Sequence, residues 1–157
     1  MLNSADVKKM LVDYRDLERD IDLQFERLDA IETKLYSVGS PEISDMPRNP
    51  SPSNDRISVL VERHIKLKEK IDRMCAERDS KRESYEGIIN LVALPEQRAT
   101  IQMHYLDGYK WDTVNEMIFG TDEEFEDKRD SYMRRVMILH GQALQQMAEF
   151  MNEKGQF

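Results

Sequence analysis

The sequence has few of the residues on which several classes of protein depend. It contains one cysteine in 157 residues, Cys75, so no disulfide can form within the chain, as is usual in a reducing cytoplasm. No apolar run approaches the ~20 residues that span a bilayer, and the first residues, MLNSADVKKML, lack the apolar centre of a signal peptide. We therefore expect a cytoplasmic protein that does not enter a membrane.

Glycine, proline and aromatic residues are also scarce, which favours an all-α fold. Charged residues make up 34% of the chain and hydrophobic ones 39%, a balance typical of long exposed helices and too polar for a large compact core. The net charge of −8 argues against a protein that coats DNA nonspecifically, because such proteins are usually basic. Any contact with DNA must come from a local basic patch.

Two long stretches have apolar residues at heptad spacing, which predicts two long helices. The first runs from Ser4, a candidate N-cap, to about Tyr36, and the second from Asn54 or Asp55 to about Val92. The seam of the first holds Val7, Met10, Tyr14, Leu17, Ile21, Gln24, Leu28, Ile31 and Leu35. The seam of the second holds Ile57, Leu60, His64, Leu67, Ile71, Met74, Arg78, Lys81, Tyr85, Ile88 and Val92.

The residues between these stretches, 37–53, form a predicted linker, since four of the five prolines of the chain lie there. Helices of similar length joined by a linker are expected to fold back as an antiparallel coiled-coil hairpin over residues 1–92. A two-helix hairpin buries little surface, so we expect the long helices to associate into a homodimer or a higher oligomer.

Residues 93–157 predict a small helix-turn-helix head. Pro95 suits the first turn of a helix, Gly108 and Gly120 separate the following elements, and a last helix runs to about Asn152. Trp111 is expected to anchor the core of the head. Three short helices broken by glycine are typical of a helix-turn-helix DNA-binding domain.

The last helix carries the candidate DNA-binding side chains. Tyr132, Arg134 and Arg135 are available for phosphates or base edges, because a guanidinium can donate two hydrogen bonds to guanine, and His140 could add a contact. The alternative interpretation is that the two arginines pair with the acids of the preceding segment TDEEFEDKRD, residues 121–130. The sequence alone leaves both interpretations open.

Metal binding and catalysis have little support in the sequence. The acidic segment does not have the spacing of a calcium loop, and we expect it to be the solvated start of the last helix. His64 has no histidine or cysteine at metal-ligand spacing and is expected to lie half-buried in the seam, with Cys75 as a small core residue beside it. There is no phosphate loop or nucleophile arrangement, so we expect no metal, no cofactor and no enzymatic activity.

The segment "RATIQMHYLDGYKWDTVNEMIFG…RRVMILHGQAL" resembles the promoter-binding C-terminal domain of bacterial sigma factors. It resembles more closely the ArpU/RinA-like phage regulators of late transcription, and SDMPRNPSPSNDRIS is similar to a linker found there. The matching positions are Tyr105, Leu106, Gly108, Trp111, Val114, Gly120, Arg134, Val136, His140, Gly141, Ala143 and Leu144.

The resemblance implies a phage or prophage transcriptional regulator of late genes in a bacterial host, which binds double-stranded DNA as an oligomer. Host RNA polymerase is a second candidate partner. By position, Tyr132, Arg134 and Arg135 begin the recognition helix and His140 lies on its continuation. Lys110, which stands where the family has a serine cap, completes the predicted DNA-binding set.

Two further departures from the family pattern leave other functions open. Asn115 replaces a small alanine where the two helices of the motif cross, and the acidic segment 121–130 is an insertion. The insertion could repel phosphates, mask the arginines or form a protein-binding surface. The alternatives are therefore a helical interaction module that has lost DNA binding and a small ring-forming packaging adaptor.

Overall fold

The computed structural model describes residues 1–38 and 53–155, and within those ranges every regular element is helical. Two long helices, α1 (Ser4–Val38) and α2 (Ser53–Ile89), are followed by α3 (Pro95–Ile101), which continues into a π-helical turn (Gln102–Leu106). The last two helices are α4 (Trp111–Phe119) and α5 (Arg129–Lys154). The all-α prediction is confirmed. Most of the predicted linker, residues 39–52, lies outside the described residues.

The two long helices form the predicted antiparallel hairpin. Near the start of α1, the Tyr14 ring packs edge-on against Tyr85 of α2 with centroids 5.7 Å apart. Near the other end, a Glu32 carboxylate oxygen of α1 lies 3.0 Å from Nε2 of His64 in α2. Residue numbers therefore rise along one helix as they fall along its partner. These contacts follow from the heptad seams, in which Tyr14, His64 and Tyr85 were all placed.

Asn3, and not Ser4, caps the start of α1. The Asn3 side-chain oxygen accepts hydrogen bonds from the backbone N–H groups of Ala5 (2.8 Å) and Asp6 (3.1 Å). In return, the Asp6 carboxylate accepts from the Asn3 backbone N–H at 2.9 Å. The Ser4 prediction was wrong by one residue, because Asn3 also has a cap-forming side chain and lies directly before the first helical residue.

The chain divides into two compact units. One comprises Leu17–Glu77, and its core contains Leu28, Leu67 and Ile71 with the half-buried Ile31 and Cys75 packed against them. Cys75 thus occupies the core position expected from the sequence. The other unit comprises Met1–Asp16 together with Arg78–Phe157. The boundary predicted between residues 92 and 93 stays a prediction.

The larger unit has two apolar clusters. The first joins the beginning of α1, the end of α2, α3 with its π-helical turn, and the later part of α5. Its fully buried members include Val7, Leu11, Ile89 and Met147. The second joins α4, the segment before α5 and the beginning of α5. Helix α5 contributes to both clusters, so its position is fixed along most of its length.

Arg82 fixes the end of the π-helical turn to α2. Its guanidinium donates to the Leu106 carbonyl oxygen and to the Asp107 carboxylate, both at 3.1 Å, and to Glu86 at 2.9 Å. The following Gly108 has φ +78°, a left-handed conformation in which glycine avoids the steric cost of a side chain. The chain can therefore turn sharply into α4.

Among the described residues, no helix combines the length and apolarity needed to cross a membrane.

Candidate functional site

One face of α5 is solvent-exposed and has no carboxylate between Asp130 and Glu149. Arg134, Ile138, Gly141 and Gln145 are all exposed, and their spacing of four, three and four residues places them in one stripe along the helix. The stripe extends about 16 Å at 1.5 Å per residue. Acidic residues account for 31 of the 157 residues, yet α5 contains none between Asp130 and Glu149. This surface is called the α5 stripe below. It carries one arginine and no acid, while Asp130, one turn before Arg134, lines a shallow pocket together with Glu126, Asp127 and Arg134.

The two predicted arginines are exposed on this part of α5. Within residues 1–38 and 53–155, neither Arg134 nor Arg135 forms an ion pair with a carboxylate. The Arg135 guanidinium lies over the ring of Phe119, 4.6 Å from its centroid, and 5.4 Å from that of Tyr132. These cation–π contacts restrain Arg135 without neutralising its charge.

Two of the six acids of residues 121–130 pair with the two bases in their own segment. Lys128 Nζ lies 2.8 Å from a Glu124 carboxylate oxygen, and Arg129 Nη2 lies 3.0 Å from that of Glu126. Most of the segment is a series of turns, and α5 begins only at Arg129. The expectation of an acidic helix start was therefore wrong for residues 121–128. Lys128 and Arg129 thus form ion pairs within the segment, and Arg134 takes part in neither pair.

Phe125 anchors this acidic loop to the protein. Its side chain is only 2% exposed and packs in the second cluster with Phe119 and Val136. The ring of Tyr132 lies 5.7 Å away by centroids and is half-buried. Partial burial and a hydrogen bond to Asp122 raise the pKa of the Tyr132 phenol. Tyr132 therefore links the loop to α5, and part of its ring packs against other side chains of the protein.

Lys110 lies at the start of α4 and Asn115 in the middle of it. Lys110 occupies the N-cap position of α4, is exposed, and makes no side-chain capping hydrogen bond. Asn115 is fully buried, and its amide N–H donates to the Arg129 carbonyl oxygen at 3.2 Å. Its Oδ1 has no hydrogen-bond partner among the described residues. Asn115 thus ties α4 directly to the first residue of α5.

His140 does not lie on the α5 stripe. It is 8% exposed, and its Nε2 is 3.0 Å from the Tyr105 hydroxyl. The Trp111 ring packs edge-on against it at 4.9 Å. The sequence-based expectation that His140 contacts DNA conflicts with this burial, so we treat His140 as part of the core. Burial, with the nearby Lys8 and His104, lowers its pKa to about 4.

A second buried histidine lies beside it. His104 stacks on Trp111 with centroids 3.8 Å apart, and its Nδ1 is 2.7 Å from the Tyr109 carbonyl oxygen. Arg15 Nη1 lies 3.2 Å from Nε2. Because a carbonyl oxygen only accepts and a guanidinium only donates, the neutral ring must carry its proton on Nδ1. Burial lowers the pKa of His104 as well, which favours this neutral form.

No known protein family, curated protein or solved structure matches this chain. The likeness to ArpU/RinA-like regulators is therefore an expectation that depends on the residues quoted above. Over the described part of the chain, no group of three or more histidine, cysteine or acidic side chains could hold a metal ion.

The buried neutral His140 predicts a loss of stability in mild acid. The unfolded chain has an ordinary histidine pKa near 6.5 and the folded state one of about 4, so the unfolded state binds more protons between those values. The free energy of unfolding should therefore fall as pH falls from about 6.5 to 4, with His140 contributing on the order of 3 kcal/mol. Urea unfolding at several pH values measures this.

The variant His140→Gln isolates this contribution from that of His104. We expect the free energy of unfolding of this variant to fall less steeply with decreasing pH. Its unfolding should take up as much as one proton fewer per molecule than that of the wild type. An unchanged pH dependence in His140→Gln would mean that the ring is not held neutral in the folded protein.

Proposed function

We propose that this protein is a DNA-binding transcriptional regulator that places the α5 stripe in the major groove of double-stranded DNA. The observation that carries the proposal is the exposed face of α5 between Asp130 and Glu149. There Arg134, with Arg135 next to it, lies outside any ion pair in the described residues. The residues of the stripe place no carboxylate against a phosphate, and the face can present guanidinium groups to base edges.

The arrangement of the head supports the same function. Helix α5 packs against both α3 and α4, and α4 supports the N-terminal part of α5 that carries the arginines. A helix-turn-helix protein reads bases with the N-terminal residues of its second helix. In this assignment α5 is the recognition helix, Arg134 and Arg135 contact base edges, and Lys110 contacts a phosphate.

The biological setting follows from the family resemblance. The protein would regulate late genes of a phage or prophage in the cytoplasm of a bacterial host, with host RNA polymerase as a second partner. The long helices would join copies into a dimer or higher oligomer, since they expose large apolar side chains. Among these are Leu23, Phe25, Val61 and Ile65.

Selection from a pool of randomised duplexes at moderate salt tests the proposal. We expect one motif to be enriched, and its affinity to fall steeply with salt because phosphate contacts release counterions. With a few phosphates neutralised, raising salt from 50 to 200 mM should weaken binding by at least about tenfold. Absence of any enriched motif, together with salt-independent affinity, would refute DNA binding.

A protein-interaction module is the second candidate function. Helix α4 exposes Asp112, Glu116 and Met117, the last of them 50% exposed. Two carboxylates beside a large apolar side chain suit a protein partner better than a phosphate backbone. In this case the protein would show no binding to duplex DNA even at low salt, and it would co-purify with RNA polymerase or a phage protein.

A further inference from the structure

After Met1, Ile138 is the most exposed large apolar side chain of the unit that contains α5. It is 60% exposed, compared with 50% for Met117 and 49% for Leu94. It follows Arg134 by four residues, so the two side chains are neighbours on the same face of the helix. Met137, the residue before it, is also 38% exposed, so two apolar side chains are accessible next to an arginine that has no ion pair in the described residues.

The surroundings of Ile138 allow a large polyanion to approach closely. Gly141 lies one turn further along the stripe, and a methyl group built at its Cα would meet no atom within 4 Å. Because that space is open, packing inside the protein does not explain the glycine at this position. Glycine within a helix costs about 1 kcal/mol relative to alanine. Asp130 lies one turn before Arg134, and from there to Glu149 α5 carries no carboxylate.

We propose that Ile138 is a specificity-determining residue that contacts the 5-methyl group of a thymine, next to a guanine bound by Arg134. This inference rests on the proposed function. Thymine is the only base that presents a methyl group in the major groove, and apolar side chains read it by direct contact. Four residues of helix advance about 6 Å, and successive bases are about 3.4 Å apart along one strand. The thymine should therefore lie one or two base pairs from the guanine.

Replacing thymine by uracil tests the proposal, because uracil lacks only the methyl group. Starting from the duplex selected above, each thymine is replaced in turn by uracil, and affinity is measured for the wild-type protein, Ile138→Ala and the neighbouring control Met137→Ala. For the wild type, one uracil replacement near the guanine should weaken binding about fourfold, the effect of leaving one methyl-sized group unburied.

The variants separate the contact from other effects of uracil. Ile138→Ala should bind the thymine and uracil duplexes equally, while Met137→Ala should keep the wild-type difference. Alanine is a good helix former at an exposed position, so Ile138→Ala should stay folded. Its circular dichroism and thermal midpoint check this.

Three results would overturn the proposal. One is that no uracil replacement changes wild-type affinity, although a motif is selected and Arg134 is required. Another is that Ile138→Ala keeps the full thymine preference. The third is that Ile138→Ala lowers the mass of the assembly in light scattering and leaves the thymine preference intact, which would assign Ile138 to a contact between copies of the chain. Failure to bind any duplex would instead refute the proposed function itself.

Discussion

Replacing Arg134 and Arg135 together by alanine should weaken binding to the selected duplex by about 30-fold or more. Both guanidinium groups are exposed and outside any ion pair in the described residues, so no ion pair has to be broken for them to contact DNA. An arginine held in two hydrogen bonds to guanine contributes about 1–3 kcal/mol of discrimination, and two such contacts give at least about 2 kcal/mol. Fluorescence anisotropy at fixed salt measures the loss.

A double variant on the hairpin controls for net charge. Arg63 and Arg73 are exposed on α2, and Arg63→Ala with Arg73→Ala changes the net charge by the same amount. We expect this control to bind within about twofold of wild type, since neither side chain belongs to the α5 stripe. Equal losses in both double variants would show that overall charge, and not the α5 stripe, determines the affinity.

Truncating Phe125 to alanine should lower the free energy of unfolding by about 3 kcal/mol or more. Phe125 is nearly fully buried, contacts the ring of Tyr132 and supports the Arg129 guanidinium 4.8 Å from its centroid. Truncation of a buried phenylalanine typically costs 3–5 kcal/mol because it removes apolar contacts and leaves a cavity. Urea unfolding followed by circular dichroism gives the value.

The exposed Glu123 provides the matched control in the same loop. Glu123→Ala should change stability by less than about 0.5 kcal/mol, as is usual for exposed side chains without a structural role. A loss below about 1 kcal/mol in Phe125→Ala would contradict the assignment of Phe125 as the anchor. The acidic loop would then be held by its polar contacts alone.

The sequence predicted the elements whose periodicity is long. The heptad seams of α1 and α2 predicted both helices and their antiparallel pairing, because many repeats of one pattern outweigh single exceptions such as Gln24. Gln24 is buried in the seam, where it donates to Asp20 and accepts from Arg27. The start of α3 at Pro95 was predicted for a different, local reason, since proline suits the first turn of a helix.

The sequence did not predict features that depend on contacts between distant residues. The π-helical turn has no known signature in single residues, and here it places His104 and Tyr105 against Trp111. The burial of Phe125 was missed because one aromatic residue among many acids looks like part of a solvated segment.

For His140, by contrast, the information was present. It follows Val136 by four residues and precedes Leu144 by four, so the helical period already places it on the buried side.

Site-directed cleavage of DNA from a reagent attached to α5 tests the central claim most directly. The lone natural cysteine is first removed by Cys75→Ser, and an iron chelate is attached to cysteine in the variant Met137→Cys. The same chelate at Ile65→Cys, an exposed position on α2, serves as the control. Binding of the α5 stripe in the major groove predicts strand cleavage confined to a few base pairs around the selected guanine from position 137, and none from position 65. Uniform cleavage from position 137, or focused cleavage from position 65 alone, would contradict the account.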